Sequence, residues 1–147
     1  MIVRAIERHD IDAVIAIQSV SPQIAQWTKA DYDLADRAGT SGWVAEGEKR
    51  IAGFLVVRQA LDETEILNLA VRPEFRRQGI ASKLLSTALQ NACEQGAAKA
   101  YLEVRVSNDP AIAFYKVHGF RALGRRTQYY ADPCEDALVL ALQLKKI

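Results

Sequence analysis

Apolar residues in this chain switch between two periods, and the switches mark its elements. Ile2 to Ile6 is a short β-type run. Asp10 stands where an N-cap belongs, ahead of Ile11, Val14, Ile15 and Gln18, which follow the i, i+3, i+4, i+7 spacing of one helix face. Pro22 falls in a loop, and residues 29–38 are expected to form a second short helix with Asp31, Asp33 and Asp36 on its polar face. From Gly42 the period shortens. WVAEG, IAGFLVVRQA and EILNLAV are β-rich runs parted by EKR and LDET, which predicts three sequential antiparallel strands. Pro73 has no N–H to give a ladder, so the third strand ends at about Val71 or Arg72.

After a loop at Glu74 to Gln78 the helical period returns. Ile80, Ala81, Leu84, Leu85, Ala88, Leu89, Ala92 and Cys93 share one stripe, and Gly96 sits where a left-handed cap would end the helix. Ala97 to Val106 then sets Ala100, Leu102, Val104 and Val106 on one face against Tyr101, Glu103 and Arg105 on the other, the alternation of a strand, expected in the interior of the sheet. Asn108, Asp109 and Pro110 open a helix of barely two turns that His118 and Gly119 close. Phe120 to Arg126 and Ala137 to Leu144 complete the set as two strands around a polar loop holding Asp132, Pro133, Glu135 and Asp136. The fold class is α+β.

The 147 residues match one ordinary domain, and no repeat or linker divides residues 1–147. Net charge is +1, too little to hold nucleic acid or anionic lipid through a bulk field, so neither partner is expected and any anion site must be local. Residues 1–75 carry 8 basic and 12 acidic groups, whereas 76–147 carry 11 and 6, which directs the search for anions to the second half. Cys93 and Cys134 suggest neither a disulfide framework nor a metal site; Cys93 is expected in the core and Cys134 in a loop. His9 and His118 suit ordinary helix-end positions. Arg4, Glu7, Arg8 and Asp10 interrupt the N-terminus too early for a signal peptide, so a soluble, unprocessed, cytoplasmic protein is expected.

The segment Leu69-Ala70-Val71-Arg72-Pro73-Glu74-Phe75-Arg76-Arg77-Gln78-Gly79-Ile80-Ala81 runs from strand through a basic loop into a helix. Unpaired N–H groups at the helix start, a glycine that admits close backbone approach, and two arginines together read as a phosphate cradle. Neither GxxxxGK[ST] nor GxGxxG is present. A charged loop that merely caps its helix is the plain alternative.

Arg76-x-x-Gly79-x-Ala81, Asn108 before a helix bearing Tyr115, and a terminal Gly119-Phe120 resemble the GCN5-related N-acetyltransferase superfamily across nearly the whole chain. Asn68 to Val71, Leu102-Glu103-Val104-Arg105, Ser107-Asn108, Ala111-Ile112, Tyr129-Tyr130 and Glu135-Asp136-Ala137 resemble its RimI group, which acetylates the N-terminal alanine of a small-subunit ribosomal protein. The chain departs from that group at Gln26-Trp27-Thr28 and at Gln128.

The resemblance implies a mixed, mostly antiparallel twisted sheet, splayed at the cofactor site and flanked by about four helices. It implies acetyl-CoA as cosubstrate and a direct ternary mechanism with no metal. Leu69, Ala70 and Val71 would pair with the pantetheine arm, Arg76 would open the pyrophosphate loop, and Arg77, Gln78, Gly79, Ile80, Ala81 and Ser82 would supply its amides. Asn108 would bond the arm, Glu103 would be the general base, directly or through water, Tyr115 the general acid and Val71 N–H the oxyanion donor. An acceptor groove is expected from the loop after the first helix and the connection between the last two strands, including Trp27 and Tyr129 to Asp136, with a peptide N-terminus as acceptor. A lysine or small-molecule amine acceptor is the nearer rival, and a non-catalytic acyl-CoA-binding module the remoter one.

Overall fold

The computed structural model describes residues 1–33 and 38–144. Seven strands form one mixed sheet: β1 (Ile2–Ala5), β2 (Thr40–Gly47), β3 (Arg50–Ala60), β4 (Glu63–Val71), β5 (Lys99–Arg105), β6 (Arg121–Tyr130) and β7 (Glu135–Gln143). Their spatial order is β1-β2-β3-β4-β5-β7-β6. The predicted meander is present as β2, β3 and β4, antiparallel and joined by tight turns at Lys49 and Leu61, both of positive φ. β3 carries an unbroken buried run from Ile51 to Val57 because both faces of the sheet are covered there.

The described residues form three α-helices, α1 (Ile11–Ser19), α2 (Ile80–Glu94) and α3 (Asp109–Val117), against the expected four or so. Residues 29–32 are turns, and the rest of the expected second helix, at 34–37, lies outside the described residues. α2 and α3 cover one face over a core of Leu55, Ile66, Leu84, Leu85, Leu102, Tyr115 and Leu140. α1 and the loop after it cover the other, over Val14, Ile17, Tyr32, Phe54 and Val56.

Asp10 precedes α1 as expected, but its carboxylate does not cap the helix. It accepts two bonds of 2.8 Å from the Arg4 guanidinium and one of 2.7 Å from Glu7 N–H, locking the turn between β1 and α1. Gly96, at φ +92°, ends α2 as predicted, with Ala97 N–H reaching the Ala92 carbonyl. Cys93 corrects its expectation by being exposed. Steps of four residues drift about 40° around a helix of 3.6 residues per turn. The row Ala81, Leu85, Leu89 and Cys93 therefore rotates off the sheet by its last member.

The two C-terminal strands extend further than predicted and shrink their connection to residues 131–134. β6 is an edge strand paired only with β7, and nine of its ten residues are exposed, so neither of its faces meets a core.

Candidate active site

β4 and β5 run parallel but stay paired only from Glu63–Lys99 to Ile66–Leu102. A bulge in the β3 to β4 register then leaves Leu67 without a partner, and β4 continues on β3 alone to Val71 while β5 continues on β7. The bulge re-aims the strand where the sheet divides. A V-shaped opening results, with one backbone edge of residues 67–71 lacking a strand neighbour.

Three adjoining cavities fill this opening. At one end, about 210 Å³ is lined by Val71, Phe75, Arg76, Arg77, Gly79 and Ser82 among others. The next, 560 Å³, shares Val71, Arg76, Ala81 and Phe114 with it and runs past Leu69, Ala70, Asn108 and Tyr115. The third, 390 Å³, shares Leu69, Asn108 and Tyr115 with the second and reaches Glu103, Arg105, Tyr130 and Asp132. One trough thus brings together the basic loop, the unpaired strand edge and the carboxylate on β5.

The basic end follows from backbone geometry. Arg77 (φ +64°) and Gly79 (φ +76°) both adopt left-handed conformations, and α2 begins at Ile80 with no side-chain cap. The first N–H groups of α2 have no intrahelical acceptor and carry the positive end of the helix dipole toward the cavity. Space is not what requires glycine at 79, since a Cβ there would meet nothing within 4 Å; its φ is. Arg76 Nε donates to the Val71 carbonyl at 3.3 Å, tying the loop to the end of β4. This end fits an anionic, extended ligand of the phosphate-bearing kind. Gln78 lies in the same loop but is not among the residues lining the cavities.

Asn108 caps α3, its Oδ1 accepting from Ala111 N–H at 3.3 Å, and it lines both larger cavities. Tyr115 is 6% exposed, with its ring edge-on to Phe114 and Phe120. Burial pushes its phenol well above the ordinary tyrosine value, which keeps the proton on the oxygen. Its hydroxyl has no hydrogen-bond partner among the described residues.

Glu103 departs from the face that Ala100, Leu102 and Val104 bury and turns into the third cavity. Its Oε2 is buried and lies 3.0 Å from Arg126 Nε, in charge contact but without the alignment of a hydrogen bond. Tyr129 and Tyr130 stand beside it, Tyr129 beneath the Arg126 guanidinium and Tyr130 beneath that of Arg105. Burial, then the Glu103 charge, raises both phenols, Tyr130 to about 12.

The loop after α1 forms part of the third cavity as expected, but Trp27 does not, and the groups that support the wall were not foreseen. Trp27 packs inward on Tyr32 at 5.0 Å and does not line the cavities; Pro22 to Gln26 form that wall. Asn68 (5% exposed) donates to Tyr32 Oη at 2.9 Å and to the Ala25 carbonyl at 3.1 Å. Tyr32 in turn donates to Gln18 Oε1, and Gln18 Nε2 to the Trp27 carbonyl. On the opposite wall Arg105 pairs with Glu135 at 3.1 Å and also bonds the Ala131 and Pro133 carbonyls. In the sequence Asn68, Arg105 and Glu135 fall within the stretches that resemble the RimI group, and Asn68 is also a polar residue within an apolar run, but neither signal points to these roles.

The Acetyltransferase (GNAT) family model matches residues 11–120. A Bacillus subtilis (strain 168) protein is 35% identical over 140 residues, 94% of this chain and 92% of its own length. The ribosomal protein bS18-alanine N-acetyltransferase of Escherichia coli (strain K12) is 38% identical over 97 residues, 65% of this chain and 66% of the relative. Among solved structures, the E. coli ribosomal-protein-S18-alanine N-acetyltransferase superposes with a TM-score of 0.86 at 28% identity, covering 99% of this chain and 95% of that one. Ard1 from Thermoplasma volcanium gives 0.86 at 30% identity, covering 99% and 98%. The divided sheet, the basic loop at its open end and these matches lead to one conclusion: the chain belongs to the GNAT family of acetyltransferases.

Proposed function

We propose that this protein acetylates the α-amino group of an N-terminal alanine, on a ribosomal protein, with acetyl-CoA as donor. The observation that carries the reading is the single trough, which joins an anion cradle to a buried carboxylate through an unpaired strand edge. Relatives whose names specify ribosomal-protein alanine support the acceptor. Residues 69–71 offer backbone groups to the pantetheine arm, and Asn108 offers its amide from the α3 cap. Arg76, Arg77, Gly79, Ile80, Ala81 and Ser82 surround the phosphates, with Gln78 holding the loop's length.

Bound acetyl-CoA supplies an activated acyl thioester. Glu103 takes the proton of the acceptor ammonium on a carboxylate oxygen, directly or through water, which frees the nitrogen lone pair. An α-amino group, with a reference pKa of about 7.7 to 8.0, yields its proton more readily than lysine at about 10.4. Val71 N–H lies at the open edge, where it can donate to oxygen as charge develops there. Tyr115 holds its proton at Oη and delivers it to the departing sulfur.

The test is thiol release from acetyl-CoA with three acceptors: an Ala-initiated peptide, the same peptide N-blocked but carrying an internal lysine, and a polyamine. Release with the free N-terminus alone is expected. Release confined to lysine or polyamine would move the acceptor to another amine class, and saturable binding without release would favour a non-catalytic module.

A further inference from the structure

One serine of the cradle is held from behind. Ser82, in the first turn of α2, lines the smallest cavity, and its Oγ lies 2.9 Å from Nε2 of His118, the residue that ends α3. That imidazole is fixed in turn. Its ring packs on Phe114 with centroids 4.7 Å apart, and its backbone N–H bonds the Phe114 and Tyr115 carbonyls. Phe114 is itself a wall of the cavity.

A serine hydroxyl has one hydrogen and two lone pairs. If Ser82 donates to a bare Nε2, its hydrogen is spent on the histidine. If Nε2 carries the hydrogen, Ser82 Oγ accepts and its own O–H is free. The other polar side chains at this cavity are the Arg76 and Arg77 guanidiniums, which only donate, the first amides of α2 stand beside them, and an oxyanion there takes hydrogens only. We propose that His118 is a positioning residue for the coenzyme phosphates: Nε2–H donates to Ser82 Oγ and thereby turns the Ser82 hydroxyl hydrogen into the cradle. The inference rests on the reading that the cradle takes acetyl-CoA, and adds to it a residue outside the cradle that sets a donor within it.

The test is calorimetric titration with coenzyme A of wild type, His118→Phe, His118→Gln, Ser82→Ala and the His118→Phe/Ser82→Ala double variant, each first shown folded by its thermal melt. His118→Phe keeps an aromatic ring against Phe114 and should weaken Kd about 10- to 150-fold, the range of one charge-assisted hydrogen bond. Ser82→Ala should lose a similar factor and the double variant no more than either single, because both remove one interaction. His118→Gln, with an amide donor, should recover most of the loss. Acetyl-pantetheine lacks these phosphates, so wild type and His118→Phe should turn it over equally. Wild-type affinity in His118→Phe, losses that multiply in the double variant, or an equal loss with acetyl-pantetheine would each overturn the proposal. Failure of the wild type to bind coenzyme A would instead remove the functional reading on which it stands.

Discussion

The two ends of the trough are built from different material. The cradle is a backbone construction: a strand edge freed by a bulge, two left-handed residues and the start of a 15-residue helix. The carboxylate end is a side-chain construction, in which Glu103, Arg126, Tyr129, Tyr130, Arg105 and Glu135 come from three strands. A site built mainly from backbone is damaged most by changes of conformation, even where single side chains such as Ser82 add to it. A side-chain site behaves in the opposite way. The first therefore suits a cosubstrate that stays constant, and the second an acceptor that sets specificity.

That contrast can be broken most forcefully where the ends meet. Tyr115→Phe keeps the packing on Phe114 and Phe120 and removes only the hydroxyl, so turnover should fall about 10²- to 10³-fold, the range for a lost general acid, while coenzyme affinity holds. Steady-state kinetics beside calorimetry separates the two quantities, and an unchanged rate would release Tyr115 from the chemistry. Glu103→Gln should cost about 10²-fold near neutral pH and recover partly at alkaline pH, where free amine accumulates without help. A pH–rate profile parallel to that of the wild type would take Glu103 out of the base role.

Gly79→Ala probes the backbone end. The added Cβ finds open space, so its cost is conformational, about 1 to 2 kcal/mol for a left-handed residue, read as a lower melting temperature together with coenzyme binding weakened about 10-fold. Equal affinity would show that this φ is dispensable. Asn68→Ala probes the other wall. Loss of its bonds to Tyr32 and Ala25 should loosen that wall and raise the acceptor KM about 5-fold, equivalent to about 1 kcal/mol, and leave coenzyme Kd alone. A matching change in coenzyme Kd would erase the distinction between the ends.

The smallest effect lies remote from both. Burial works to raise the Asp10 carboxyl, but the Arg4 pair and the Glu7 amide override it and hold the group below the ordinary carboxylate range. Its contribution to stability is complete above a pH of about 4, the unfolded value, and is lost as pH falls through the lower folded value. Melting temperatures of wild type and Asp10→Asn should therefore converge in acid and differ at neutral pH, with coenzyme affinity the same in both.

The same division of material decided what the sequence could reveal. Pro73, Gly79 and the apolar stripe of α2 mark the cradle because conformation is written locally, in residue types with restricted or permissive backbones. Alternation showed that Glu103 leaves the buried face, but not that Arg126 stands over it. Their contact crosses β7, where Glu103 pairs with Val139 and Arg126 with Ala137. Register across three strands is a long-range property with no local signature. Trp27 failed for a related reason: an aromatic residue in a groove loop can face the groove or the core, and the Gln18, Tyr32 and Asn68 network turns it inward. Cys93 failed through helical drift alone.

Arg126, the neighbour of the proposed base, sits on an edge strand. β6 has no core on either face and only β7 beside it, so its amides should exchange with solvent through local opening long before α2 or β3 release theirs. Each such opening would carry the guanidinium away from the carboxylate, making the fraction of time that Glu103 is unaccompanied a property of strand fraying rather than of the trough.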